Sequence, residues 1–268
     1  MEAKSGTLWY VAYGSNMSAA KFTGGRGIAP IDVARVRLPR WVLSMEIPGL
    51  PYSEPAFSSI SRRGTLRAEA ADVPDVIGLA YLITEAQYRH VIASEGGGTA
   101  YADIAVIGEG IRPEDQEKLQ NGCMLRTLTS AGMTRSPVPT PSLRYMSLLV
   151  DGAAEARLPP EYQEYLQRLP VYRPPSTCWT KLGAWVFLAI WGPVMQLLER
   201  VTMGSIGDDG YASAFAIWLV RVTMRLIWIT HDWLFAPIFG RGDGCTDRSQ
   251  NVAEPESWLE KRRLLEGV

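Results

Sequence analysis

Imidazole and thiol are scarce in this chain. Its 268 residues include two histidines, His90 and His231, and three cysteines, Cys123, Cys178 and Cys245. The cysteines are far apart and odd in number, and no Cys-x-x-Cys or Cys/His cluster occurs. That argues against a structural zinc site or a disulfide scaffold and for three reduced thiols. A surplus of either charge is missing too: 27 Lys plus Arg stand against 28 Asp plus Glu. With no basic excess and no dense Lys/Arg stripe, the electrostatic footprint of a nucleic-acid binder is lacking. The first residues carry Glu2 and Lys4 and then only a strand-length apolar run, without the longer apolar stretch and cleavage site of a secretory signal. The expectation is therefore a cytoplasmic protein. A hydrophobic content of 47% with 21% charged residues excludes wholesale disorder.

What is present in the first two thirds is a series of short strand-like runs separated by turn signals. Candidate strands are 8–12, 41–45, 56–60, 76–82, 102–106 and 123–128. Turns are expected at Gly24-Gly25-Arg26-Gly27, Pro48-Gly49-Leu50-Pro51 and Gly96-Gly97-Gly98, and Ser18-Ala19-Ala20-Lys21-Phe22 looks ready to open a helix. Thr84 followed by Gln87 is a capping-box pattern, predicting a helix that runs towards Ser94-Glu95. Further helices are predicted over 142–155 and 161–169. Many strands with a few grouped helices imply an α+β fold, a small mixed barrel with flanking helices.

Composition changes after Pro174-Pro175, which divides the chain into 1–175 and a hydrophobic helical extension, 176–268. The run 182–198 spans about 17 residues, the lower limit for crossing a bilayer, and Gly192-Pro193 interrupts it. A second run, 211–240, is longer but carries Arg221, Arg225 and Asp232 along one seam. Such a seam needs a partner, for which Glu199 and Asp232 are candidates. Two helices packed together and onto the main domain are expected, with contact to a membrane surface or a partner protein through 182–239 as the second reading and a true membrane span as the third. A charged tail, 254–268, suits an exposed helix.

Three segments carry chemistry-bearing residues. Tyr13-Gly14-Ser15-Asn16-Met17 places a glycine and small polar residues where a strand meets a helix. Glu95 sits where a helix ends, before three glycines that permit close approach. Tyr145 is on the first turn of the 142–155 helix, where a tyrosine is usually a core residue with a wet tip. The glycines form no nucleotide fingerprint. His231-Asp232 resembles part of a metal phosphohydrolase ligand set but lacks its further His and Asp.

Taken in order, Tyr13-Gly14-Ser15-Asn16, Glu95-Gly96, Pro141-Ser142-Leu143-Arg144-Tyr145, Gly152-Ala153 and Leu158-Pro159-Pro160-Glu161-Tyr162 resemble the γ-glutamylcyclotransferase family over roughly residues 7 to 170. The C-terminal third looks like an extension of fungal members associated with epipolythiodioxopiperazine toxins such as gliotoxin. The resemblance implies release of 5-oxoproline from a small γ-glutamyl substrate by intramolecular aminolysis, without metal or organic cofactor. It implies Glu95 as the proton-transferring carboxylate and Tyr13, Gly14, Ser15, Asn16, Met17 and Tyr145 as substrate-binding residues. The alternatives are an inactive binding or membrane-associated scaffold on the same fold, and general turnover of glutathione or γ-glutamyl peptides.

Overall fold

The computed structural model describes residues 6–65, 73–119, 122–174 and 176–245. The tail 254–268 lies outside the described residues. Among the described residues there are eight strands: β1 (Thr7–Ala12), β2 (Asp32–Leu38), β3 (Trp41–Leu50), β4 (Glu54–Arg62), β5 (Val76–Thr84), β6 (Tyr101–Ile107), β7 (Glu109–Gly110) and β8 (Met124–Ser130). Six form a mixed sheet in the order β6-β8-β1-β5-β2-β7, with β1 and β8 parallel and the other pairs antiparallel. β3 and β4 form a separate hairpin. It joins the sheet through polar side chains: Thr129 Oγ1 donates to the Ile60 carbonyl at 2.7 Å, and the Ser130 N–H donates to Ser59 Oγ at 2.9 Å.

β1 lies inside the sheet, which is why its apolar run continues to the buried Val11 and Ala12. Beside it, Phe22 stacks on Tyr81 with ring centroids 4.2 Å apart, and both rings are buried. The helix α1 (Glu85–Ser94) starts with the expected capping box: Thr84 Oγ1 accepts from the Gln87 N–H at 3.2 Å, and Gln87 Oε1 accepts from the Thr84 N–H at 3.0 Å. A short helix, α2 (Pro113–Leu119), precedes β8. Ser142 caps α3 (Leu143–Glu155) by accepting from the Tyr145 N–H at 3.0 Å. Met146, Leu149, Val150 and Ala153 recur at helical spacing on its buried face. Full burial of a Leu- or Met-sized side chain contributes about 1.5–3 kcal/mol, so this stripe holds α3 against the sheet. α4 (Pro160–Arg168) follows, anchored by buried Tyr162 and Leu166.

The extension forms α5 (Cys178–Gly204), α6 (Ala214–Thr230), a π-helical turn His231–Phe235 and α7 (Ala236–Phe239). Phe187 of α5 and Met224, Ile227 and Trp228 of α6 make a second small core. Tyr52 from the β3–β4 turn joins it and donates from its hydroxyl to the Gly240 carbonyl at 2.6 Å. The expectation that the two helices pack together and onto the rest of the chain is met. Each of Cys178–Gly204 and Ala214–Phe239 is long and apolar enough to cross a membrane, and only 22% and 33% of their most apolar stretches is buried. Trp185, Trp218 and Trp233 are 68%, 57% and 83% exposed.

Several local expectations are corrected. α5 runs unbroken through Pro193, because one missing backbone hydrogen bond is outweighed by a long helix on either side. Pro48-Gly49-Leu50 lies within β3; the chain reverses at Pro51-Tyr52-Ser53, with Tyr52 at φ 65°. At Gly49 the β4 backbone comes so close that a Cβ would lie 2.0 Å from the Glu54 carbonyl oxygen. The segment after the opening turn forms a π-helical turn, Ala20–Gly25, rather than an ordinary helix. β2, β7 and α2 were not anticipated, although β2 alternates, with Ala34, Val36 and Leu38 facing the core and Arg35 and Arg37 turned away. The seam of α6 also finds other partners. Arg221 donates to the carbonyls of Thr99 and Ala131, both at 3.3 Å, and Asp232 accepts from Arg135. Glu199 takes neither role.

Candidate active site

From Ala12 the chain leaves the sheet and tightens into a helical turn, Ser15–Met17. The Met17 N–H donates to the Gly14 carbonyl at 3.0 Å and the Ser18 N–H to the Ser15 carbonyl at 3.3 Å. The N–H groups of Ser15 and Asn16 meet no acceptor among the described residues. Two adjacent free donors at the head of a turn suit an anionic group.

Gly14 has a reason nearer than any ligand: a Cβ there would lie 2.4 Å from Ser58 Oγ. Ser58, on β4, is tied to Tyr145. Their hydroxyl oxygens are 2.7 Å apart, and the Ser58 N–H donates to Tyr145 Oη at 3.1 Å. Tyr101 donates to the Ser58 carbonyl at 3.1 Å, and Tyr13 donates to the Leu128 carbonyl. Burial pushes the Tyr145 phenol up to about 12, with the hydrogen bonds from Ser58 acting against the rise. Burial likewise holds Tyr10, Tyr13 and Tyr101 above the ordinary phenol range. These rings are therefore neutral near pH 7 and serve as hydrogen-bonding groups rather than bases.

Glu95 terminates α1. Its Oε1 accepts from Asn16 Nδ2 at 3.0 Å and from Arg26 Nη2. Arg26 is itself fixed, donating from Nε to Asn16 Oδ1 at 3.1 Å and from Nη1 to Ser94 Oγ. Asn16 Nδ2 also donates to Tyr10 Oη at 3.0 Å. Glu95 Oε2 has no hydrogen-bond partner among the described residues, and the side chain is 19% exposed. One carboxylate oxygen is thus anchored and the other is available. Lys21 Nζ donates to Ser15 Oγ at 2.5 Å, and burial lowers its pKa.

Tyr13, Gly14, Ser15, Asn16, Glu95 and Tyr145 line one cleft. It is narrow, with a cavity of about 30 Å³ that opens to solvent. A ligand would therefore seat partly in the mouth. Met17 is the exception among the expected binding residues. It is 1% exposed, its N–H is spent within the turn, and it does not line the cleft. Its place is against α3, where a Cβ on Gly152 would lie 2.8 Å from the Ser18 N and 3.0 Å from Met17. The Gly152-Ala153 pair thus lets α3 back the turn closely.

Sequence reasoning missed Arg26, Lys21, Ser58, Tyr10 and Tyr101. Arg26 had a signal, a lone cation inside the glycine loop Gly24–Gly27, but that stretch reads first as a turn. The other four lie in strands or at a helix start, where nothing local separates a site residue from a core residue.

The three glycines after Glu95 are all left-handed, at φ 87°, 56° and 86°. What approaches them is the extension. The Ala212 N–H donates to the Gly97 carbonyl at 2.9 Å, and a Cβ on Gly98 would lie 3.0 Å from the Tyr211 ring.

The one grouping of metal-type donors among the described residues, His231, Asp232 and Asp243, is an ion-pair network instead. Arg135 donates to both oxygens of Asp232 at 2.7 Å, Arg241 pairs with Asp243 at 2.5 Å, and His231 Nε2 accepts from the Gly242 N–H at 3.0 Å. With His231 Nδ1 then carrying the proton towards Asp232, the donors are already occupied.

A tethered carboxylate with one open oxygen beside free backbone donors is an arrangement able to exchange a proton and to hold an anionic group. A solved γ-glutamyl cyclotransferase shares the fold, with TM-score 0.50 at 20% identity over 64% of this chain and 93% of that one. The γ-glutamyl cyclotransferase aclK of Aspergillus oryzae is 40% identical over 247 residues, covering 88% of this chain and 90% of the relative. The γ-glutamyl cyclotransferase gliK of Aspergillus fumigatus is 34% identical over 89% and 90%, and gliK of Claviceps purpurea 33% over 85% and 100%. A family model described as the AclK C-terminal domain matches residues 177–238. The chain belongs to the γ-glutamyl cyclotransferase family and is an enzyme of that family.

Proposed function

We propose that this enzyme releases 5-oxoproline from a γ-glutamyl amine, and that its substrates are glutathione-derived adducts of fungal epipolythiodioxopiperazine biosynthesis. The observation that carries the reaction is the carboxylate of Glu95, held at Oε1 and open at Oε2 in the cleft. The substrate's α-amine attacks its own γ-carbonyl, so a C–N bond forms as the ring closes and the bond to the leaving nitrogen breaks. Ring closure supplies proximity. The attacking ammonium sheds two protons on becoming the lactam N–H; Glu95 accepts them in turn and passes them to the departing nitrogen, which leaves as an ammonium, so no net proton is consumed. The Ser15 and Asn16 N–H groups meet the substrate carboxylate or the developing oxyanion, and Tyr145 with Ser58 shapes the opposite wall. The pathway reading is supported by similarity to the fungal relatives through the C-terminal third. In this reading residues 1–175 form the catalytic unit and 176–268 an extension of it.

The test is a substrate panel: a γ-glutamyl dipeptide, glutathione and a glutathione-conjugated diketopiperazine, with 5-oxoproline measured by mass. Release from the conjugate, and its loss by about 10²–10⁴-fold in a folded Glu95→Gln variant, is expected. No release from any substrate would overturn the reaction, and release from glutathione but not the conjugate would overturn the pathway.

The exposed tryptophans of α5, α6 and the turn after α6 favour a second reading that is compatible with the first. We propose that this cytoplasmic enzyme rests peripherally on a lipid surface, where tryptophan is favoured. Flotation with phosphatidylserine-containing vesicles, reduced in Trp185→Ser/Trp218→Ser, is expected. A protein that stays entirely at the bottom of the gradient would remove this reading.

A further inference from the structure

A second cleft lies beside the first and is built jointly by the main domain and the extension. Its cavity is about 360 Å³, within the usual range for small-molecule sites. Pro48 of β3 and the segment following β8, from Ala131 to Arg135, form one side; Arg221, Met224, Arg225, Trp228 and Ile229 of α6 form the other. The two clefts have separate linings joined by one short stretch of chain. Leu128 lines the catalytic cleft and Ala131 the second, three residues further on, which in extended chain is about 10 Å. Arg221 links them by donating to the carbonyls of Thr99, on the loop that follows Glu95, and Ala131.

The lining is apolar with a positive balance. Three arginines and no carboxylate face the cleft. Arg135 is neutralised by Asp232 and lies over the Trp228 ring, 3.9 Å from its centroid. Arg221 is satisfied only by neutral carbonyls, so its charge is uncompensated. Arg225 is exposed and has no ion-pair or hydrogen-bond partner among the described residues. Two uncompensated guanidinium groups beside Met133, Met224 and Trp228 suit a ligand with an apolar body and a carboxylate.

We infer that this cleft holds the leaving half of the substrate: an amine with an apolar substituent that ends in a carboxylate, as in an S-substituted cysteinylglycine, with Arg225 and Arg221 meeting the carboxylate. The inference rests on the proposed γ-glutamyl reaction for the word "leaving", but the recognition it describes can be measured without turnover. γ-Glutamyl seats at Glu95, and the rest of the substrate extends along the end of β8 to α6. The extension thereby selects substrates instead of only covering the site.

The test titrates S-benzyl-cysteinylglycine, the product half of S-benzylglutathione, into the full-length protein by calorimetry. Saturable binding is expected, weakened at least about tenfold by Arg225→Glu, a loss of about 1.4 kcal/mol. The same probe with its carboxylate amidated is expected to bind weakly and to be insensitive to that change. Circular dichroism checks that the variant, altered at an exposed position, remains folded. No saturable binding to the wild-type protein, or equal affinity in the variant, would overturn the assignment. Release of 5-oxoproline without probe binding removes this cleft's role and leaves the reaction; probe binding without 5-oxoproline from any substrate does the reverse.

Discussion

Asn16 donates its side-chain amide to Glu95 Oε1 at 3.0 Å, joining the turn after β1 to the end of α1 across 79 positions of sequence. Arg26 closes the triangle by donating to both of them. The carboxylate is consequently oriented by two donors on one oxygen, which leaves the other open for the proton exchange of the proposed reaction.

Arg26 touches no reacting atom in the proposed mechanism and acts as a positioning residue. Arg26→Ala should lower kcat by about 10–100-fold, the scale of a misplaced catalytic group, with a smaller change in KM. Steady-state kinetics on a γ-glutamyl dipeptide checks this, with partial recovery in Arg26→Lys. A change confined to KM would make Arg26 a binding residue instead.

Tyr145 is held as a neutral phenol by burial, and its hydroxyl meets both the Oγ and the N–H of Ser58. Tyr145→Phe should cost about 1–3 kcal/mol of stability by leaving these buried groups without a partner, and should reduce activity less than Glu95→Gln. Urea denaturation and 5-oxoproline release measure the two effects separately. Unchanged stability and activity together would make the hydroxyl incidental.

Gly97 combines φ 56° with a contact in which a Cβ would lie 2.7 Å from the Ala212 N. Gly97→Ala should destabilise by at least about 1–2 kcal/mol from the left-handed conformation alone, and should loosen the loop against the extension. Faster proteolysis within the α5–α6 connection, with reduced activity, is the expected readout. A variant as resistant and as active as the wild type would show that the extension does not brace the loop.

The arginine-aspartate-histidine network predicts acid sensitivity. Burial lowers the His231 pKa, so the unfolded chain takes up that proton first and stability falls as pH drops below about 6.5. Although burial opposes it, the Asp232 pKa is depressed by Arg135 and His231. Its contribution is therefore present above the ordinary carboxylate range and is lost as pH falls through the folded value. The urea midpoint should decline from pH 6.5 downwards and again below about pH 4. His231→Gln, which keeps an acceptor for Gly242, should flatten the first decline. The same slope in that variant would place the titrating group elsewhere.

Local chemistry was legible wherever one segment carried the whole signal. Thr84 and Gln87 are neighbours on a helix, so the capping box could be read directly, and the helix beginning near Ser142 was placed from an equally local pattern. Pro48 and Gly49 misled because a turn pair in sequence became strand once Glu54 packed against the glycine. The seam on α6 was correctly read as needing partners, but backbone carbonyls at Thr99 and Ala131 have no signature in side-chain spacing.

By itself the sequence determined the α+β class, the ordered motifs around Tyr13, Glu95 and Tyr145, and the apolar character of the last third. Those properties reside in residue type and short-range spacing. Only the tertiary structure decided that Arg26 and Asn16 orient Glu95, that Ser58 is the immediate reason for Gly14, and that the extension braces the glycine loop. Each of those depends on long-range approach, and packing of the sheet, α1 and α6 is what brings the partners within hydrogen-bond distance.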